Sequence, residues 1–178
     1  MRFALQRLII RQFGRALLLL TAFGALGCDN SGGLSHLEQM KKAQQEAAES
    51  IKEKGGKADE KSYPQGEAWA VDLSGMAIDD DVIDYLLKLS RVTELNLSKS
   101  TITDAQIASL VTEVPMHTLI KLDVSNTEIS DAGLLELPKL QLIYEINVKG
   151  SKITPAGLEQ YKKARPKHPM KLPLKVTK

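Results

Sequence analysis

From Ala68 onward the apolar residues of this chain fall into six recurring columns. Four apolar-polar-apolar triplets mark the frame: Val71-Asp72-Leu73, Leu95-Asn96-Leu97, Leu122-Asp123-Val124 and Ile146-Asn147-Val148. Their first residues lie 24, 27 and 24 positions apart. Ala68, Val92, Leu119 and Ile143 precede them by three positions, and Ile78, Ile102, Ile129 and Ile153 follow their ends by five. Two later columns hold Ile83, Ile107, Leu134 and Leu158, then Leu86, Leu110, Leu137 and Tyr161. A period of two predicts short strands with the first and third side chains of each triplet inward. The wider spacing downstream predicts a turn followed by a helix. A repeat near 24 residues predicts a stack of like units, each shielding its neighbour's apolar side.

The polar columns agree. Asp79, Thr103, Ser130 and Thr154 share one position, and all four are good helix N-caps. Asp80, Asp104, Asp131 and Pro155 come next. Acids there complement the N-terminal dipole, and Pro is favoured at the first helical position. Thr103 and Gln106 have capping-box spacing. Met170, Leu172 and Leu174 stand in register for a terminal edge strand, 24 residues after Ile146. Pro173 removes a donor there, and Lys171 and Lys175 add charge, both devices that block an exposed edge.

The first 67 residues follow other patterns. Arg2, Arg7, Arg11 and Arg15 precede an uncharged run, Ala16 to Gly27, which is the layout of an export signal. A membrane-spanning helix needs about 20 apolar residues, more than this run supplies. Residues 28–67 turn polar and predict a spacer. Within it, Ser35 and Glu38 have capping-box spacing, Leu37, Met40, Gln44, Ala47 and Ile51 recur at helical intervals, and Gly55-Gly56 supplies a stop. The helix predicted near 36–54 reads as solvated, or as a short coiled-coil seam. Residues 55–67 read as a linker.

Three stretches, Ile102-Thr103-Asp104-Ala105-Gln106-Ile107, Ile129-Ser130-Asp131-Ala132-Gly133-Leu134 and Ile153-Thr154-Pro155-Ala156-Gly157-Leu158, resemble the "I-T-D-A-G-L" segment of bacterial leucine-rich repeats. The resemblance covers residues 68–178 as four repeats plus the terminal edge strand. It implies an α/β leucine-rich repeat solenoid, with a short parallel sheet on one side and helices on the other. The first unit, Ile78 to Ile83, is degenerate, as an N-terminal cap would be. Many such repeats carry an Asn or Cys ladder at the turn after the strand, whereas this chain has Met76, Ser100, Thr127 and Ser151. Hydroxyls can serve turn backbone groups. Met76 cannot, so the first turn is expected to differ or to use water. Ala25-Leu26-Gly27-Cys28 resembles the lipobox of bacterial lipoproteins. That implies a signal peptide at 1–27, removed before Cys28, and acylation of the Cys28 thiol. The exported protein would then be membrane-anchored on the periplasmic or cell-surface side. An ordinary secretory signal cut after Ala25 or Gly27 is the other reading.

Composition narrows the chemistry. A single Cys excludes an internal disulfide framework and a multi-Cys zinc site. His36, His117 and His168 are scattered, with no Ser, Cys or acid at a catalytic spacing. No metal, no cofactor and no catalytic residue is expected. Aromatics at 4% argue against a base-stacking platform, and nucleic acid is a poor partner for an exported chain. Leucine-rich repeat proteins usually bind partners on the concave sheet, which makes its outward columns the candidate site. These are Glu94, Lys121 and Glu145, beside Asp72, Asn96, Asp123 and Asn147. The first set reads as a salt ladder along neighbouring strands. The second reads either as a hydrogen-bonded row or as a line of oxygens for a hard cation or a sugar. Charge is also segregated: residues 68–160 hold 14 acids and 7 bases, while 161–178 hold 7 bases and no acid. The basic tail protects the edge or touches anionic lipid. Together these features predict a lipid-anchored envelope module that binds a protein or glycan. A structural spacer and a hydrolase using the sheet acids are the rivals.

Overall fold

The structure is a computed structural model that describes residues 35–165 and 173–178. The expected signal segment 1–27, Cys28, and the Met170–Leu172 part of the expected edge strand lie outside the described residues.

The described chain has a mixed α/β fold on one six-stranded sheet, ordered β1 to β6 as in the sequence. Helix α1 (His36–Glu53) leads into β1 (Lys57–Tyr63) and β2 (Gly66–Asp72), which form an antiparallel hairpin. Four parallel strands follow: β3 (Val92–Asn96), β4 (Lys121–Asp123), β5 (Glu145–Asn147) and β6 (Lys175–Thr177). The connections carry α2 (Asp80–Lys88), α3 (Asp104–Leu110), α4 (Asp131–Leu134) and α5 (Pro155–Ala164). Short 3₁₀ turns at Val114–Thr118 and Leu137–Lys139 complete the second and third connections. Among the described residues, no helix is long and apolar enough to cross a membrane.

Val71, Leu95, Leu122 and Ile146 lie side by side on adjacent strands and are all buried. Leu73, Leu97, Val124 and Val148 form a second buried row. Leu86, Leu110, Leu137 and Tyr161 close the core from the helix side. In α2, Val82 is fully buried whereas Ile83 is only partly covered. Each strand exits through a residue with left-handed backbone: Gly75 (φ 74°), Lys99 (φ 58°), Asn126 (φ 54°) and Gly150 (φ 71°). The ladder continues through the first three of these turns whether or not they carry a side chain: Gly75 N–H donates to Ser98 O at 2.8 Å. Lys99 N–H donates to Ser125 O and Asn126 N–H to Lys149 O, both at 2.8 Å.

The hydroxyl column works as a turn ladder. Ser100, Thr127 and Ser151 each donate 2.7 Å hydrogen bonds to the carbonyls of Leu97, Val124 and Val148. The first turn is built differently: Ile78 N–H donates to the hydroxyl of Thr101, on the next unit, at 3.0 Å.

The acid column does more than complement helix dipoles. Asp79, Thr103, Ser130 and Thr154 cap α2 to α5. The carboxylate of Asp104 accepts from Ser130 N–H (3.0 Å) and hydroxyl (2.5 Å) in the following unit. Asp131 accepts in the same way from Thr154 N–H and hydroxyl, both at 2.7 Å. Thr154 in turn accepts from Gly157 N–H at 3.0 Å. A Cβ on Gly133 would overlap the Asp104 carboxylate, and one on Gly157 that of Asp131. The glycines therefore make room for a clamp between units. Gln106 stands where the second unit would need that glycine, and it reaches back to Ile78 O instead.

These two bonds hold the Asp131 carboxyl below the usual carboxylate range. A folded-state value below the unfolded one adds stability above the ordinary carboxylate pKa of about 4 and loses it as pH falls through the folded value. Melting temperature is therefore expected to drop in this acid window, and less steeply in Asp131→Asn than in the parent. Identical acid slopes for the two would contradict the clamp.

Three expectations are corrected. Residues 55–67 are not a linker, because Lys57–Tyr63 pairs with Gly66–Asp72 along its full length. Lys57, Asp59, Glu60 and Lys61 put charge on both faces of β1, which leaves little apolar signal. The helix at 36–53 is not a solvated spacer, since Ala47, Ala48 and Ile51 are buried against the first unit. The strand beside β5 does not repeat after 24 residues: Val176, 30 positions on, sits opposite Ile146. Pro173 cannot donate to a ladder, and pairing begins beyond it, with Lys175 opposite Glu145.

Candidate functional site

The face of the sheet away from the helices carries two polar rows. One runs Ala70, Glu94, Lys121, Glu145, Lys175; the other runs Asp72, Asn96, Asp123, Asn147, Thr177. All seven candidate residues thus meet on one surface, about 4.8 Å apart from strand to strand. They line a shallow groove of about 380 Å³. Its floor is half-buried, because the apolar residues of the same strands point the other way.

The Asp and Asn row ends the strands. Asp72, Asn96, Asp123 and Asn147 each turn Oδ1 onto the backbone N–H two residues ahead, at 3.0, 3.0, 2.8 and 3.2 Å. Each of these oxygens is thus engaged by its own turn. Asp123 Oδ2 also accepts from Asn147 Nδ2 at 2.7 Å. That favours the hydrogen-bonded row over a line of free oxygens. Among the described residues, no three His, Cys, Asp or Glu side chains converge on a point that would hold a metal ion.

The charged row pairs differently from the expected ladder. Glu94 is held from both sides, by Lys61 at 3.0 Å and Lys121 at 3.8 Å. Lys121 leans toward Glu94, and Glu145 has no ion pair among the described residues. The hydrogen bond from Lys61 to Glu94 raises the lysine's pKa above its ordinary value. Lys57 approaches Asp72 at 3.8 Å. Such partly exposed pairs contribute roughly 0–1 kcal/mol each. Their main effect is to fix charge positions along the groove.

Lys57, Asp59 and Lys61 of β1 are the lining residues that the sequence reading missed. The available signal was the Pro64-Gln65-Gly66 punctuation after an alternating segment. Gly66 has φ 108°, as a tight hairpin end requires. Asp59 is brought opposite Ala70 and stands beside Glu94 across one strand. The groove thus presents hydrogen-bonding groups and charges of both signs on a rigid sheet, which is the equipment of a recognition surface.

A family model described as a leucine-rich repeat matches residues 116–137. That stretch contains β4, with Lys121 and Asp123, the Ser130 cap and α4. The chain therefore carries a leucine-rich repeat, a unit that suggests a protein-binding module. No curated protein matches the chain.

Proposed function

We propose that this chain is an exported, lipid-anchored envelope protein displaying a leucine-rich repeat solenoid that binds a protein, or a glycan, on its concave sheet. The single observation that carries the binding role is the groove: seven candidate residues and three from β1 on one continuous polar face. In support of the anchor, four arginines precede a short apolar run that ends in small residues and the chain's lone Cys28. Two or more acyl chains carried on Cys28 would hold the protein stably, since each buried methylene contributes about 0.8 kcal/mol. The role is recognition rather than catalysis, without a cofactor.

Crosslinking in native membranes, followed by mass spectrometry, tests the reading. A single stoichiometric partner is expected with the parent chain. It should be lost when Lys121→Glu and Asp123→Lys are combined. Incorporation of labelled fatty acid tests the anchor: the parent chain is expected to take it up and Cys28→Ser to lose it, and an unlabelled parent would refute the lipid anchor. One observation favours a scaffold with no ligand: Glu94 is already satisfied by Lys61 and Lys121. Crosslinks unaffected by the charge reversal would select that scaffold.

A further inference from the structure

We propose that the first two turns of α1, with the groove between α1 and the end of α2, rest on the phospholipid surface of the membrane that carries Cys28. The inference rests on the anchoring proposed above and assigns the anchored chain a second contact.

Helix α1 has an apolar stripe longer than the core it covers. Ala47, Ala48 and Ile51 are buried, but Leu37 and Met40, on the same stripe, are 64% and 46% exposed. Both belong to the helix start, which is held by a complete capping box: Ser35 N–H donates to Glu38 at 2.7 Å, and Glu38 N–H to the Ser35 hydroxyl at 3.3 Å. The overhang is thus a fixed helical face. Beside it lies an open groove of about 480 Å³, lined by Met40, Ala43, Leu87 and Leu89, with Lys88 and Glu113 also at its sides.

Chain length selects the occupant. Only six residues, 29–34, separate Cys28 from Ser35. Fully extended, that tether covers about 25 Å. An acylated Cys28 sits in the lipid headgroup region, so α1 starts within that distance of the bilayer. A short amphipathic face with two large apolar side chains suits an interfacial contact, with Lys41 beside it and Lys42 turned away to Glu46. A second copy is a weaker occupant, because a stripe two turns long is too short for a stable helical seam.

The test uses the mature acylated protein in vesicles of phosphatidylethanolamine and phosphatidylglycerol. Leu37→Cys and Met40→Cys are labelled with an environment-sensitive fluorophore, and Glu49→Cys serves as the control on the polar face. Acylation leaves Cys28 unlabelled, and the intact mass reports that acylation separately. Blue-shifted emission and loss of fluorescence to a lipid-borne quencher are expected at 37 and 40 but not at 49. Equal water exposure at all three positions, on a protein of acylated mass, overturns the α1 contact alone. Label self-quenching that ignores the lipid quencher assigns the face to a second copy and also overturns it. A mass without acyl groups overturns the anchoring and this contact together. Hydrogen exchange of the unlabelled protein gives an independent reading: slower exchange over residues 36–44 on vesicles is expected, and unchanged exchange counts against the contact.

Discussion

Leu122→Ala is expected to lower the free energy of unfolding by about 2–5 kcal/mol. Leu122 lies on β4 between Leu95 of β3 and Ile146 of β5, and only 3% of it is exposed. Truncation removes buried methyl groups and leaves a cavity that the strands on both sides hold open. In a stack of like units the loss also falls on both inter-unit contacts, so stability should drop across the described sheet rather than in one coil. Leu135→Ala is the internal comparison: Leu135 is 39% exposed, and its change is expected to stay within about 0.5 kcal/mol. Urea unfolding followed by circular dichroism measures both. A cost for Leu122→Ala as small as that for Leu135→Ala would show that the strands do not share one core.

The second large effect is expected at Ile51. Its side chain is fully buried on α1, and Gly56 passes so close that an added Cβ would press on Ile51, Leu73 and Met76. Ile51→Ala is expected to cost about 2–5 kcal/mol. Leu37→Ala, on the exposed start of the same helix, is expected to change folding stability by less than about 0.5 kcal/mol. The contrast separates a docked cap from a solvated spacer, for which both substitutions would be equally mild. Faster hydrogen exchange in the first sheet unit of Ile51→Ala would locate the damage at the end of the stack, where α2 and β1 lose their cover.

The repeated units were legible because strand and helix signals came in register. A triplet with period two, an Ile five residues on and a capping residue beside it recur four times, and each property is local. Capping needs only a side chain two or three residues from a free N–H, so Asp79, Thr103, Ser130 and Thr154 could be placed from spacing alone. The seven groove residues were legible for the same reason, since a parallel register sets like positions side by side. What they do there was less legible. The ladder expected across Glu94, Lys121 and Glu145 gave way to a Lys61–Glu94–Lys121 arrangement, because β1 brought in a cation that no repeat position announces. Asp104 and Asp131 read as dipole partners of their own helices. Their bonds to Ser130 and Thr154 became visible only once the units were stacked.

Short-range patterning in this chain was thus enough to define the strand-turn-helix unit, its caps and the face that each strand turns to solvent. It could not say what closes the first unit or where the last strand pairs. Those outcomes depend on which surfaces are left over after the repeats have assembled. Helix α1 docks because β1, β2 and α2 leave an apolar face without a preceding unit, and β1 pairs because β2 has an open edge. Val176 pairs opposite Ile146, beyond Pro173, which has no N–H to give to the ladder. Each is a long-range contact: the few apolar residues of the docking segment gain free energy only against a surface that exists once the repeats have assembled.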